Sequence, residues 1–414
     1  MLVRGGQVVE QSDSLPPCIV LGLETQIALG VVRELGRAGV RVIGIAQSPH
    51  AIGLKSRFLF RGVVVEQPRS DKMLSRIREL GAEHGGACLL TVSEANLNWL
   101  LKNRAALGNV TPILPTENSL AMVLDKQKTL ALAEKVGIDV PKTVEPDSLA
   151  SVRQAAATLT FPVVLKWKDP NAAGPILAAK GLPMNKAEYA LNADQLVEIG
   201  KRYEVVQQWP LIQEYCPGVG LGQFFYMHNG QALRRFQHRR IAEWPPEGGF
   251  SSVCDSVPLS EHTALQEKSI ELLRQIGWEG VAMVEYRFDP ATGRAVLMEI
   301  NGRFWGSFPL AVHCRAGFAL LAYQVQGAGI APKLEALVDG LRCRMVVTEL
   351  KRLVRICFGA HLIRDPFFRI RKAAEIGRFL ADFLRSNVRY FLWSSDDPAP
   401  FFRDIANALM RRNR

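Results

Sequence analysis

Over the first hundred residues, short apolar runs alternate with stretches of helical period. Residues 18–21, 40–46, 62–66 and 88–92 read as strands, and within residues 25–38 the apolar Ile27, Val31 and Leu35 recur at every fourth position, one stripe along a helix. Strand, helix and strand in succession predict a parallel sheet. The turn after the first strand, Gly22-Leu23-Glu24-Thr25, holds only one of the glycines of a dinucleotide-binding GxGxxG, which argues against that kind of cofactor.

The pattern changes near Pro112 and Pro115. A helical period then runs over residues 118–136, carries Asp125-Lys126, and stops at Gly137, a residue suited to a helix C-terminus. Residues 161–167 and 211–215 read as strands. An alternating stretch over residues 223–240 is centred on Asn229-Gly230, whose positive φ angles suit a tight hairpin turn, and a second hairpin over residues 281–300 turns at Asp289-Pro-Ala-Thr-Gly293. In the tail, Ile376, Phe379, Leu380, Phe383 and Leu384 share one helical face within residues 369–386, with Arg371, Lys372, Arg378 and Arg385 around them. Such a basic amphipathic helix either packs its apolar stripe on the protein and leaves a solvated basic face, or anchors to an anionic membrane or polymer. These breaks divide the chain into a parallel α/β part over residues 1–112, an α+β part over residues 113–335, and a basic helical extension over residues 336–414.

Composition fits several cores. The 414 residues exceed what one hydrophobic core supports, and 48% of them are hydrophobic. The net charge is +11, and residues 341–414 alone carry 16 Lys plus Arg against 7 Asp plus Glu, so the basic character lies mainly in the tail. No nucleic-acid motif accompanies it, and a nucleic-acid partner is not expected. An anionic surface, or an acidic acceptor such as a cell-envelope glycan precursor, is the partner that the charge suggests. The seven cysteines form neither a CxxC pair nor a zinc-spaced cluster with histidine and read as reduced thiols. Residues 1–17 lack an apolar signal-peptide core, and no uninterrupted run of about 18 apolar residues occurs. A cytoplasmic protein is expected, with peripheral membrane contact through the tail as an addition; whether it forms a homo-oligomer stays open.

The chemistry concentrates in the second hairpin, Met283-Val-Glu285-Tyr-Arg-Phe, a turn, and Leu297-Met-Glu299-Ile-Asn301-Gly-Arg303. A loop centred on residue 292 sets Glu285 opposite Glu299, and the strand period of two puts Asn301 on the same face. Two carboxylates and an amide oxygen suit a hard cation, Mg²⁺ or alternatively Mn²⁺, bound through carboxylates and substrate phosphates. The lack of nitrogen and sulfur ligands argues against zinc. Arg303, again two residues on, would aim a guanidinium fork at phosphate oxygens. The alternative, two glutamates on a solvated edge hairpin, leaves Asn301 and Arg303 at the same alternating positions unexplained.

With these residues the chain resembles the ATP-grasp superfamily, and within it the carboxylate-amine ligases related to D-aspartate ligase and the large subunit of carbamoyl phosphate synthase. The resemblance runs from about residue 18 to about residue 320 and rests above all on the Glu-x-Asn-x-Arg strand. It implies a Rossmann-like pre-ATP-grasp domain, a two-lobed ATP-grasp domain holding ATP between its lobes, and Mg²⁺-dependent activation of a small-molecule carboxylate as an acyl phosphate, which an amine or related nucleophile then attacks. By resemblance, Glu285, Glu299 and Asn301 take the metal positions, and Arg303 faces phosphate and substrate. Asp125-Lys126 ahead of Gly137-Ile-Asp-Val-Pro141, and Val163-Val-Leu-Lys166, are similar to the family's two phosphate-contacting lysine segments, which implicates Lys126 and Lys166. Gln213-Glu214-Tyr215-Cys216 before Pro217-Gly218 resembles the strand that reads adenine, through the Glu214 carbonyl and the Cys216 amide. His238-Arg239-Arg240 and the loop at residues 245–252 resemble the segment bordering the active site, which implies that Arg239 and Arg240 contact phosphate or the substrate carboxylate.

The chain departs from the family pattern in three places. Asp169-Pro-Asn-Ala-Ala-Gly174-Pro has one glycine where a glycine-rich lid is common, Val219-Gly-Leu-Gly-Gln223 stands where an acidic ribose ligand is common, and Gly302 stands where proline is common. Two other activities stay open on the sequence: an ATP-grasp kinase or carboxylase, and an ATP-binding module without catalysis that associates with membrane or polymer through its tail.

Overall fold

The computed structural model describes residues 15–412 apart from Asp169, Lys186, Glu247 and Arg364. Most of the segment judged to lack a signal-peptide core, the start of the glycine-poor stretch after Lys166, and one residue of the loop at 245–252 therefore lie outside the described residues. By packing, the chain forms two compact units: Met1–Leu114 with Gly317–Glu335 and Leu392–Arg414, and Pro115–Ala316 with Ala336–Phe391.

In the first unit, Cys18–Leu21 (β1), Val42–Ala46 (β2), Arg61–Val64 (β3), Ala87–Thr91 (β4) and Val110–Pro112 (β5) form a wholly parallel sheet in the order β3-β2-β1-β4-β5. Strands β1, β2 and β4 are buried along their whole length, as central strands covered on both faces must be. The helix Gln26–Arg37 begins where the Thr25 hydroxyl accepts from the Ala28 amide at 3.2 Å. Val31 and Leu35 of its expected stripe are buried, and Ile27 is half-buried.

Residues 336–414, grouped by their composition, fall in both units. The last of them return to the first unit, where Arg33 donates to Asp397 at 2.9 Å. Asp397 also accepts from the Ser56 hydroxyl at 2.7 Å and the Arg57 amide at 2.9 Å. Burial pulls the Arg33 guanidinium down from its ordinary pKa, and the carboxylate of Asp397 opposes that pull.

The second unit holds two sheets. Thr143–Val144 (β6), Val163–Lys166 (β7), Glu188–Ala190 (β8) and Leu211–Glu214 (β9) make an antiparallel sheet in the order β6-β9-β7-β8. Its core joins Val163, Leu165 and Ile212 to Val152, Leu196 and Tyr203 of the helices Leu149–Thr158 and Ala193–Tyr203. Val219–His228 (β10), Gln231–Trp244 (β11), Phe250–Ser256 (β12), Gly280–Phe288 (β13), Ala295–Asn301 (β14), Arg342–Arg344 (β15) and Val388–Tyr390 (β16) form the larger sheet, β14-β13-β10-β11-β12-β15-β16. The β10–β11 hairpin turns at Asn229 and Gly230, both with positive φ, as their sequence predicts. The stretch expected to be a helical extension thus also supplies two strands.

The single helix expected over residues 118–136 is two helices, Glu117–Leu124 and Lys126–Lys135. Asp125 ends the first and caps the second, its carboxylate accepting from the Lys128 amide at 3.2 Å. A side chain that satisfies the free amides of a new helix competes with continuation of the old one. The break makes Lys126 the first residue of its helix.

Candidate functional site

The site is built on one face of the larger sheet. Near the turn of the β13–β14 hairpin, Phe288 pairs with Ala295 and Tyr286 with Leu297, a register that would set Glu285 opposite Met298 if it continued. A bulge between Glu285 and Tyr286 shifts the register by one residue and brings Glu299 opposite Glu285, with Asn301 opposite Met283. The expected pair of carboxylates is therefore adjacent, and both are half-buried.

Arg240, on β11, crosses β10 to reach this pair. Its Nη2 donates to Glu285 Oε2 at 2.6 Å and its Nη1 to the Gly249 carbonyl at 3.0 Å. The crossing needs Gly220: a Cβ there would lie 2.5 Å from Arg240 Cδ. In Val219-Gly-Leu-Gly-Gln223, which stands where an acidic ribose ligand is common, Gly220 thus clears a path for a guanidinium and Gly222 makes room for the His238 ring. Arg240 is held on Glu285 in this structure, so contact with a substrate anion would share or exchange that partner.

Three more groups complete the cluster. Lys126 Nζ lies 3.2 Å from Glu299 Oε2. The Asn301 amide donates to Glu299 Oε1 at 3.2 Å, and its oxygen accepts from Arg303 Nη2 at 3.1 Å. Lys166 closes β7, with its Nζ 3.5 Å from Gln213 Oε1. Burial, then the nearby Lys126, draw the Lys166 ammonium below its ordinary pKa, with Glu299 opposing. Burial pushes the Glu285 carboxyl up, Arg240 pulls it back, Glu299 adds to the rise, and the net direction is upward. Burial also pushes Glu299, but Lys126 and the Asn301 hydrogen bond more than offset it, so Glu299 is held below the ordinary value.

Five cations, Lys126, Lys166, Arg240, Arg287 and Arg303, meet three carboxylates, Glu243, Glu285 and Glu299, in this region. Such an excess suits a polyanion accompanied by a dication. Among the described residues no three His, Cys, Asp or Glu side chains could hold a metal ion, so a cation would rest on Glu285, Glu299 and phosphate oxygens. That donor set fits Mg²⁺. Asn301 joins it only if its amide turns, exchanging the present bond to Glu299 for one from its oxygen to the cation.

The adenine-reading strand predicted at residues 213–216 is β9 and the residues after it. Glu214 is tied to the large sheet through Arg294 at 3.1 Å, and Arg294 also pairs with Asp139 at 3.4 Å. Gln213 donates to the Thr143 hydroxyl at 3.1 Å. Cys216 is buried, which pushes its thiol up to about 11 and leaves it unreactive. The Tyr215 ring packs on Phe367, 4.4 Å between centroids.

Arg239 is not brought to this site: it is exposed and, as the neighbour of Arg240 on a strand, lies on the opposite face. Two groups near the site, Arg287 and Phe367, were not singled out in the sequence. Arg287 follows Glu285 by two residues and so shares its face, a signal the strand period already carried. Phe367 comes from a loop with no periodic signal. His238 is buried beside Arg240; burial, then that guanidinium, push it well below its ordinary pKa, and it is neutral. Its Nδ1 bonds the Ser307 hydroxyl at 2.9 Å. Among the described residues His238 Nε2 and Arg240 Nε, two residues apart on β11, are buried without a hydrogen-bond partner. Gly302, where proline is common, packs under Trp278, whose ring would lie 2.3 Å from a Cβ.

Comparison with known proteins agrees with this geometry. The family model for the carbamoyl-phosphate synthase L chain ATP-binding domain matches residues 254–335, which include Glu285, Glu299, Asn301 and Arg303. The chain is 22% identical over 337 residues to the carbamoyl phosphate synthase large chain of Rhodopirellula baltica, covering 78% of this chain and 28% of that one. It thus spans little more than a quarter of that relative's length. A biotin carboxylase from Campylobacter jejuni, solved as a β-γ-ATP complex, aligns with a TM-score of 0.61 at 15% identity over 78% of this chain and 74% of that one. The L-amino acid ligase from Bacillus licheniformis aligns with a TM-score of 0.53 at 17% identity over 78% and 76%. The family match over residues 254–335, the shared fold and the acid-amide-arginine strand all point to the ATP-grasp superfamily.

Proposed function

We propose that this protein is an ATP-dependent ligase that activates a carboxylate as an acyl phosphate and joins it to an amine, releasing ADP and phosphate. The observation that carries the reading is the Glu285–Glu299 pair, set on one sheet face among five cations and beside partnerless buried donors. Lys126 and Lys166 would exchange their present partners, Glu299 and Gln213, for triphosphate oxygens. Arg303 would spread the charge that grows on the moving phosphoryl group. Mg²⁺, held by Glu285, Glu299 and a turned Asn301, would neutralise phosphate charge as a Lewis acid.

In the first step one oxygen of the substrate carboxylate bonds to the γ-phosphorus while the bond to the bridging oxygen breaks, giving ADP and an acyl phosphate. In the second, the amine nitrogen bonds to the acyl carbon and gives its proton to solvent, and the carbon–oxygen bond to phosphate breaks. Arg240 is poised for the carboxylate, because its Nε has no partner among the described residues. No side-chain nucleophile is needed, consistent with the buried thiol of Cys216. A cytoplasmic setting belongs to this reading and suits seven free cysteines.

The test is ADP release with MgATP across paired carboxylates and amines, one substrate labelled with ¹⁸O in its carboxylate. ADP release that needs both substrates, with label passing into phosphate, is expected. ADP release with bicarbonate and no amine would identify a carboxylase, and label-free phosphate would exclude the acyl phosphate.

A further inference from the structure

Two neighbouring helices of the second unit have their polarity inverted. In Val346–Phe358, Glu349, Arg352 and Ile356 are buried, whereas Leu350, Val354 and Phe358, spaced by four, form an exposed stripe. In and just after Lys372–Ala381, Ile376, Leu380, Phe383 and Leu384 are exposed. Phe358 is 83% and Leu384 90% exposed, so these side chains stand almost wholly in water. The charges lie inward instead. Arg344 donates to Glu349 at 2.7 Å, Arg352 holds Glu375 at 2.6 and 3.0 Å, and Arg378 reaches the same Glu375 at 2.5 Å. The Arg344 guanidinium also lies over the rings of Phe379 and Phe383, 4.7 and 4.4 Å from their centroids.

A helix on a water-facing surface does the reverse, because hydrating apolar side chains and sinking ion pairs are both unfavourable. Apolar stripes on two adjacent helices mark a face that is covered in use. Its rim indicates the cover. Lys351, Arg369, Arg371, Lys372 and Arg385 are exposed around the stripes. Lys372 and Arg385 also bond within the face, to the Cys357 carbonyl and to Asp382. Among the described residues from 346 to 386, by contrast, every carboxylate is drawn in: Glu349 and Asp382 are buried, Asp365 and Glu375 half-buried. A cationic rim around apolar side chains complements anionic headgroups above an apolar interior. Two copies of the same face would set cation against cation.

We infer that Val346–Phe358 and Lys372–Ala381 form a docking face that seats this protein on an anionic lipid bilayer. Leu350, Val354, Phe358, Ile376, Leu380 and Leu384 enter the boundary between headgroups and acyl chains, and the basic rim stays among the headgroups. The attachment is interfacial, since among the described residues no helix is long and apolar enough to cross a membrane. On this reading Ile376, Leu380 and Leu384 of the basic tail helix face out, while Phe379 and the ion-paired side face in.

The experiment is flotation of the full chain with phosphatidylcholine vesicles, alone or with about 30% phosphatidylglycerol. Flotation with the anionic vesicles only, weakened by high salt, is expected. The double variant Phe358→Ser/Leu384→Ser should bind them about tenfold or more weakly, with unchanged melting and unchanged nucleotide binding, because both side chains are exposed in the free protein. Failure of the wild type to float with anionic vesicles, or equal binding by the variant, would overturn the inference. So would a wild-type dimer that the variant disperses without any flotation, which would assign the face to a second copy.

Discussion

Glu285 and Glu299 face each other across a hairpin, yet their surroundings drive them apart: burial and its neighbour raise Glu285, while Lys126 and Asn301 hold Glu299 down. The consequence for Glu285 has a definite sign. Between the ordinary glutamate value and its raised value, the folded chain keeps a proton that the unfolded chain has released, so stability falls as pH rises through that interval. Glu299 acts oppositely and at lower pH, its contribution being lost as pH falls through its lowered value. Denaturant melts in EDTA across the first interval should show the decline in the wild type and not in Glu285→Gln; parallel curves would contradict the pairing. Gly220 gives a second residue-scale expectation. In Gly220→Ala the new Cβ would lie 2.5 Å from Arg240 Cδ and displace the guanidinium from Glu285. Losing one such charged contact is worth about ten- to a hundredfold in ATP turnover. An unchanged rate would mean that the Arg240–Glu285 contact is not used.

At the scale of elements, the strand expected to read adenine is packed by a loop far along the chain. Phe367 packs on Tyr215 just after β9, and Phe367→Ala should raise the KM for ATP about two- to tenfold with little change in kcat, the worth of one aromatic pair. A changed kcat with constant KM would place Phe367 elsewhere in the reaction. The elements also show what the amino-acid order could and could not reveal. The Glu285–Glu299 pairing was legible because a loop centred on residue 292 and a period of two suffice to find it, although the bulge that produces it was not. The break at Asp125 was hidden because the helical period continues across it, and only the capping preference of an aspartate marks it. Strands β15 and β16, three residues each, are too short to show alternation. For the tail helix, periodicity located the apolar stripe but carried no information on which side meets the protein, because that is settled by Arg344, Glu349 and Arg352 on other elements. Arg239 follows a related rule: as the neighbour of Arg240 on a strand it points to the opposite face.

At the scale of the molecule, each unit is closed by chain from outside its contiguous core. In the first unit this closure centres on Arg33 and Asp397, which are 4% and 1% exposed. Arg33→Ala would leave the carboxylate buried without its cation, a loss of about 3–5 kcal/mol. Limited proteolysis should then cut the segment Leu392–Arg414 faster than in the wild type, and an unchanged digestion pattern would count against that closure. In the second unit, residues 336–391 add two strands to the sheet that carries the carboxylate pair, and also present the outward apolar face, so that pair and that face belong to one body. The central claim is that the carboxylate pair binds a nucleotide together with its metal. Isothermal titration of the wild type and Glu299→Gln with a non-hydrolysable ATP analogue, with and without Mg²⁺, tests it most directly. The wild type should bind more tightly with Mg²⁺ and the variant should lose that gain; binding indifferent to both the metal and the substitution, or no binding at all, would contradict the account.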